Sequence, residues 1–345
     1  MSQPDRVPMR TVLSHAAVPV LMGLIMAVAY LGGFHKPQPH AVPLAIVGPT
    51  QQVQPIAAAA NRALGDKADV KVVATEQEAI EQIKDLKLTG AYVPGKVSAS
   101  LLVSTMASDA GKSTASQMLG PIAAKQGLPL TSKDVTPVPA SDPVGQNGFF
   151  YLVALTVGSY ATSIAIGAAG ATRRMRERTG LALGAAVVIA TAGLAIARAG
   201  YGMFPGHLPA VWGLSLVYCA AVLLIGVGLH PVFGRFCTLV YSAVFVALNF
   251  TSSGGVFPTY LQPAFFGWLH HFWIGSGFVE TLRRVLYFPQ VSIAGPMTIL
   301  FGWLALGALC VIGGHLLEQR RAGHAQAATV LSVETEEELA EDVAV

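Results

Sequence analysis

Several groupings of residues in this sequence have the types and spacing to do chemistry. Gly111-Lys112-Ser113 has the ending of a phosphate-cradling loop, in which backbone N–H groups hold phosphate oxygens and the lysine adds its charge. Such a loop also needs a glycine five residues before Gly111, and that position is Met106. The peptide is therefore expected to be an ordinary exposed turn at the start of a helix. His270 and His271 could relay protons or hold a metal, but adjacent residues point about 100° apart on a helix, so they read as interfacial residues of an amphipathic segment. Glu280 lies three and four residues before Arg283 and Arg284, the spacing of ion pairs on one helix face. Arg173, Arg174, Arg176 and Arg178, with Glu177 among them, form a dense cationic cluster able to meet anionic lipid or an acidic protein surface. His35 and His40 stand in a Pro-rich linker without a third ligand. No metal site, cofactor site or nucleophile–base pair is expected in this chain, which reads as a non-enzyme.

The elements that must position these groups belong to a membrane protein. Only 12% of the residues are charged and 53% are hydrophobic, against about 25% charged in an average soluble domain. The net charge of +3 and the lack of a basic-aromatic array argue against nucleic acid. A crossing helix needs about 20 apolar residues, and six stretches qualify: Thr11–Phe34, Gly148–Gly170, Leu181–Gly200, Leu208–Leu229, Pro231–Phe250 and Ser292–Leu316. The first has too long an apolar run for a cleaved signal and lacks a small-x-small site after it, so it reads as a retained span. With backbone groups satisfied within each segment, the expected fold is an α-helical polytopic membrane protein of six transmembrane helices. Cys219, Cys237 and Cys310 sit singly in apolar segments, where no disulfide is expected.

Charge sets the expected orientation. If residues 1–10 are cytoplasmic, the inner segments hold Arg6, Arg10, Arg173, Arg174, Arg176, Arg178, Arg235, Arg320 and Arg321, while the outer short segments hold only Arg198, Arg283 and Arg284. Arginine in short loops resists translocation, so this bias puts both termini in the cytoplasm of a bacterial plasma membrane. Residues 35–147, which contain every lysine of the chain, then lie outside. Within them, residues 43–138 read as a small α/β domain. Strands are expected at Leu44–Val47, Val70–Val73, Gly90–Val93 and Ser100–Ser104. Helices are expected at about Gln54–Leu64, from Thr75 with a capping box to Glu78, and at Ser108–Gln126. The Pro-rich stretches His35–Pro43 and Ser132–Gln146 read as linkers.

Residues 251–290 are too long and too aromatic for a simple loop, and Gly254, Gly255, Pro258, Pro263 and Gly275 break them repeatedly. Segments this short cannot span, so they read as a re-entrant hairpin that dips into the outer leaflet. The spans themselves hold almost no ionisable side chain and no acid, so energy for any transport must come from elsewhere. The tail, residues 318–345, turns from basic Arg320-Arg321 to acidic Glu334–Asp342 and reads as solvated.

One span, a large outer domain, then five spans with an arginine-rich loop after the second and an aromatic hairpin before the last, resembles the type 2 ABC exporter permeases, and among them the YhgE/Pip-like membrane proteins. The local matches are Asp142-Pro143-x-Gly145 before Phe150-Tyr151, and Ser253-Gly254-Gly255-x-Phe257-Pro258 leading through Pro263, Phe265, Phe266 and Leu269-His270 to Arg283. The sequence departs from the family's pattern at His271 and Ile274, where prolines are usual, and in its shorter outer domain. The resemblance implies a dimeric permease, homodimer or heterodimer with a related permease, moving a lipidic or hydrophobic substrate outward. Arg173, Arg174, Arg176 and Arg178 would form its coupling helix against a separate cytoplasmic ABC ATPase that binds ATP. Gly254, Gly255, Phe257, Pro258, Pro263, Phe265, Phe266, His270 and Arg283 would form the outer gate. The reading from another class is a non-transporting envelope scaffold, or secretion accessory, whose outer domain binds a protein partner.

Overall fold

The computed structural model describes the backbone of residues 8–343 and the side chains of residues 8–324. The first helix, α1 (Met9–Phe34), leads into a domain built of β1 (Val42–Val47), α2 (Thr50–Leu64), β2 (Ala68–Val73), α3 (Glu76–Lys84), β3 (Gly90–Val93), β4 (Ala99–Val103), α4 (Asp109–Lys125) and β5 (Leu130–Asp134). The helical remainder comprises α5 (Asn147–Ala169), α6 (Met175–Ala195), α7 (Leu208–Phe233), α8 (Cys237–Ser242), α9 (Asn249–Ser252), α10 (Ala264–His270), α11 (Ile274–Tyr287) and α12 (Ala294–Val343). Among the described residues five segments are long and apolar enough to cross a membrane, one of them the 45-residue stretch Leu208–Ser252.

The five strands form one mixed sheet in the order β2-β1-β3-β4-β5, with only β3 and β4 antiparallel. Period-two alternation sorts its faces. Val42, Leu44 and Ile46 pack beneath α2 and α4, while Ala45 and Val47 pack against Ala79 and Ile83 of α3. The expected strands and helices appear, with three corrections. Helix α2 starts at Thr50, because Pro55 is accommodated inside it and does not mark its beginning. Ser132–Asp134, expected to open a linker, belongs to β5, which pairs with β4 as an edge strand. The other linker is tied down: the backbone N–H groups of Gln38 and His40 donate to the carbonyls of Leu261 and Tyr260. Thr75 does cap α3, accepting from the Glu78 N–H at 3.2 Å.

In the helical part the stretch Leu208–Ser252 doubles back. Pro231 lies within α7, and the reversal comes at Gly234, whose φ of +48° favours glycine. The hydrogen bonds across the pair fix its geometry: the Tyr241 hydroxyl donates to the Gly226 carbonyl at 2.6 Å, and Asn249 Nδ2 donates to the Tyr218 hydroxyl at 2.9 Å. Moving forward from Tyr218 to Gly226 meets partners moving backward from Asn249 to Tyr241, so the two limbs are antiparallel.

Similar pairs set the other directions. Tyr151 meets Ser215, and Thr156 meets Tyr218, so α5 and α7 run parallel. Gly158 lies on Ile189 and Gly193 on Leu155, so α6 runs against α5. Gly307 faces Leu224, and Gly228 lies so close to the backbone of Cys310 that a side chain would overlap it, so α12 runs parallel to α7. Small residues at such crossings let helices approach where lipid offers no hydrophobic drive for their association. Ala182, Ala186 and Ala190, spaced by one turn and buried, serve α6 in the same way. These directions gather the α/β domain and residues 253–293 at one end of the bundle. The turn at Arg173, the start of α1 and residues 318–324 of α12 lie at the other.

Candidate functional site

The α/β domain meets residues 253–290 in a polar cluster that packing builds from three short pieces. Ser252 and Ser253 end α9, and Gly254 turns the chain with φ +77°. A Cβ on Gly254 would stand 2.6 Å from Cε1 of His270, so only glycine fits here. His270, the last residue of α10, uses Nδ1 to donate to the Ser252 carbonyl at 2.9 Å. Helix α11 then supplies Glu280 and Arg283, paired one turn apart. Arg283 Nη2 also donates to the Gly254 carbonyl at 2.9 Å, and Arg284 reaches the second Glu280 oxygen at 3.7 Å. Burial works to raise the Glu280 carboxyl, but the adjacent Arg283 and Arg284 outweigh it and hold it below the usual carboxylate range. Burial holds the His270 imidazole below its ordinary value, hence neutral at pH 7, and the Glu280 charge only partly offsets this.

A cavity of about 230 Å³ lies over this cluster, with Thr89 and Ser108 on the domain side and Pro258, Tyr260, His270, Glu280 and Arg283 opposite. Tyr260 crosses the gap. Its hydroxyl stands 2.7 Å from where a Cβ on Gly111 would be, and burial pushes its pKa up to about 12. Gly111 is therefore not the exposed turn expected from sequence: it lies at the start of a helix as expected, but it is buried against Tyr260. Lys112 donates to Thr105 at 3.0 Å, and Thr105 in turn pairs with Asp134 of β5. A second fastening uses Asp142, whose Oδ1 accepts from the Gln146 and Asn147 N–H groups at the head of α5 while Oδ2 accepts from the Tyr287 hydroxyl at 2.7 Å. Burial and the Asp142 charge both raise the Tyr287 pKa.

Of the residues expected at an outer gate, Gly254, Pro258, His270 and Arg283 come together at this cavity. Gly255, Phe257 and Phe266 serve packing: Gly255 against Phe149, Phe257 edge-on to Phe34, and Phe266 beside Gly33 of α1. Pro263 caps α10, and Phe265 points outward with Trp268. Sequence reasoning missed Tyr260, Thr89 and Gly111 as members of the site. The signal available for Tyr260 was its place between two prolines in a segment whose other aromatics face outward or into the bundle.

The arginine cluster divides. Arg173, Arg174 and Arg176 are exposed, with Arg173 3.9 Å from Glu177. Arg178 is 1% exposed and pairs with Glu318 of α12. Helix α6 starts at Met175 and not at Leu181, so the cluster is the turn into α6 and its first residues, with no separate short helix. Nothing in the sequence marks Glu318 as the partner of Arg178, which lies 140 positions away. The acidic residues Glu334–Asp342 lie on the continuation of α12, and their side chains are outside the described residues, as is Arg6.

Comparisons with protein-family models, with curated proteins and with solved structures find no match for this chain.

Two measurements probe the cluster. Gly111→Ala would gain about 1 kcal/mol of helix propensity at an unconstrained position, but here it should lower the melting temperature, because its methyl meets the Tyr260 hydroxyl. Tyr260→Phe should remove most of that penalty in the double variant, and additive losses would contradict the contact. The second concerns pH. A histidine kept neutral by folding binds fewer protons than in the unfolded chain, so stability falls as pH drops below about 6.5. The loss tied to Glu280, whose carboxyl is depressed, comes only at lower pH. His270→Asn, which keeps a donor for Ser252, should shrink the fall in melting temperature between about pH 7.5 and about pH 5.5; an unchanged fall would show that His270 does not titrate there.

Proposed function

We propose that this chain is the membrane subunit of an ABC-type exporter, a permease similar to the type 2 ABC exporter permeases and to YhgE/Pip-like proteins, moving a lipidic or hydrophobic substrate outward. In this reading the bundle crosses the bilayer six times, the two limbs of Leu208–Ser252 counting separately, with both termini cytoplasmic and the α/β domain outside. The observation that carries the reading is the separation of two differently built ends. At one end, a short-helix hairpin carrying the Gly254–His270–Glu280–Arg283 cluster meets a folded domain through Tyr260. At the other, Arg173 and Arg174 in the turn before α6 and Arg176 in its first turn are exposed. A guanidinium-rich turn continuous with a membrane helix suits transmission of motion from an acidic surface on a separate ATPase, which would bind and hydrolyse ATP.

Helix α1 supports a dimeric arrangement. Val20, Leu24, Val28 and Leu31 form an exposed apolar stripe at helical spacing, available to a second copy or a related permease. The hairpin helices α10 and α11 are too short to span, and their outward Phe265, Trp268 and Phe272 suit the outer interfacial layer, where aromatic rings settle. One feature favours the envelope-scaffold reading: an apolar groove of about 480 Å³ between α2 and α4, lined by Ile56, Met118 and Ile122, on the domain's outer face.

Purification from native membranes separates the two readings. The exporter reading expects an ABC ATPase to copurify in comparable amount, and to be lost from the triple variant Arg173→Gln, Arg174→Gln, Arg176→Gln while the melting temperature holds. Copurification of a single non-ATPase protein through the α/β domain, with no ATPase, would reject it in favour of the scaffold.

A further inference from the structure

A groove of about 810 Å³ opens at the arginine end of the bundle, between the first turn of α6 and residues 311–322 of α12. Its floor is apolar, formed by Met175, Val311, Ile312 and Leu316, and its rim carries Arg174 and Arg176. Both arginines are exposed, and among the described residues neither forms an ion pair. The one acid that lines the groove, Glu318, is committed to the buried Arg178. Two uncommitted positive charges therefore stand over a slot lined with hydrocarbon. The slot runs along twelve residues of α12, about 17 Å, across the place where the helix changes from Leu316-Leu317 to Glu318-Gln319-Arg320-Arg321. It thus straddles the depth at which a membrane changes from acyl chains to headgroups.

We infer that this groove holds one phospholipid with an anionic headgroup, its phosphate against Arg174 and Arg176 and an acyl chain along Val311 and Ile312. Charge selects the occupant: two guanidiniums at the interface favour an anionic over a zwitterionic lipid. The apolar floor selects it again, since neither a free anion nor an acidic protein surface would fill a slot that descends into the hydrocarbon layer. His315 and Gln319, whose Nε2 atoms lie 3.1 Å apart at the rim, add polar groups at glycerol depth. The inference needs only a membrane; in the exporter reading the lipid and the ATPase surface would meet at Arg174 and Arg176, with Arg173, beside Glu177, facing the protein alone.

The test is native mass spectrometry of the full-length protein in detergent, titrated with phosphatidylglycerol or phosphatidylcholine. At roughly 1 kcal/mol for each arginine, phosphatidylglycerol should bind about tenfold or more tightly than phosphatidylcholine. Arg174→Gln with Arg176→Gln should bring the two lipids level. Ile312→Trp, which fills the floor and leaves both arginines, should weaken both lipids, and Arg173→Gln should change neither. Retention of the phosphatidylglycerol preference by the double variant would overturn the site. Displacement of the lipid by an equal concentration of inorganic phosphate would overturn it too, leaving a bare anion contact, and so would an Ile312→Trp variant that binds like the parent. If the occupant were an acidic protein surface, the parent itself would lack any preference between the lipids.

Discussion

A continuous apolar stretch of 45 residues would measure about 68 Å as one helix, more than twice the hydrocarbon thickness of about 30 Å. It has to fold back, and Gly234 is where it does so. That single reversal decides the parity of the whole bundle. Because Cys237–Ser252 returns alongside α7, the segment that follows emerges at the end where the α/β domain already sits. Without the reversal, Tyr260, Glu280 and Arg283 would lie at the far end from Thr89 and Gly111, and the cavity between hairpin and domain could not assemble.

The two ends and the middle are held by different physics. Within the bundle, burial of apolar side chains distinguishes little between helix contact and lipid contact, so specificity falls to glycines, alanines and uncharged hydrogen bonds. The chain from Thr156 through Tyr218 to Asn249 joins three helices without a charged group. At the domain end, where water competes, the fastening is ionic and enclosed: Glu280 with its two arginines, and Asp142 with Tyr287. A carboxylate kept charged by adjacent guanidiniums needs its partners to stay in place, because one partner lost leaves a buried charge exposed to a penalty of several kcal/mol. The domain itself is joined to the hairpin by the backbone bonds of Gln38 and His40 to Leu261 and Tyr260, by Tyr260 beside Gly111, and by the Gln290 amide donating to the Lys84 carbonyl.

Much of this was legible in the sequence, for reasons that vary by residue. Length and apolarity locate membrane-sized helices, and alternation of strands and helices locates the domain, because both are period and composition effects. The sequence puts the break between these two segments at His230, between Leu229 and Pro231, and it falls at Gly234, where the backbone needs a positive φ. Strand β5 was lost among the polar residues Thr131-Ser132-Lys133 because an edge strand buries little. The site was half legible. Gly254, His270 and Arg283 could be singled out from their spacing and from a family likeness, whereas Tyr260 against Gly111 and Arg178 against Glu318 join residues about 150 and 140 positions apart. No local pattern encodes such pairs, and a cluster of like charges gives no sign that one of its members is buried.

The central claim is that the domain and the hairpin share one side of the membrane while the Arg173 turn and the end of α12 share the other. Site-directed thiol labelling in sealed vesicles of known orientation tests it directly, after replacement of the native Cys219, Cys237 and Cys310. The account predicts that Lys71→Cys and Gln290→Cys react with an impermeant reagent from one face only, and Thr172→Cys and Gly323→Cys from the opposite face only. Labelling of Lys71→Cys and Thr172→Cys from the same face would contradict it.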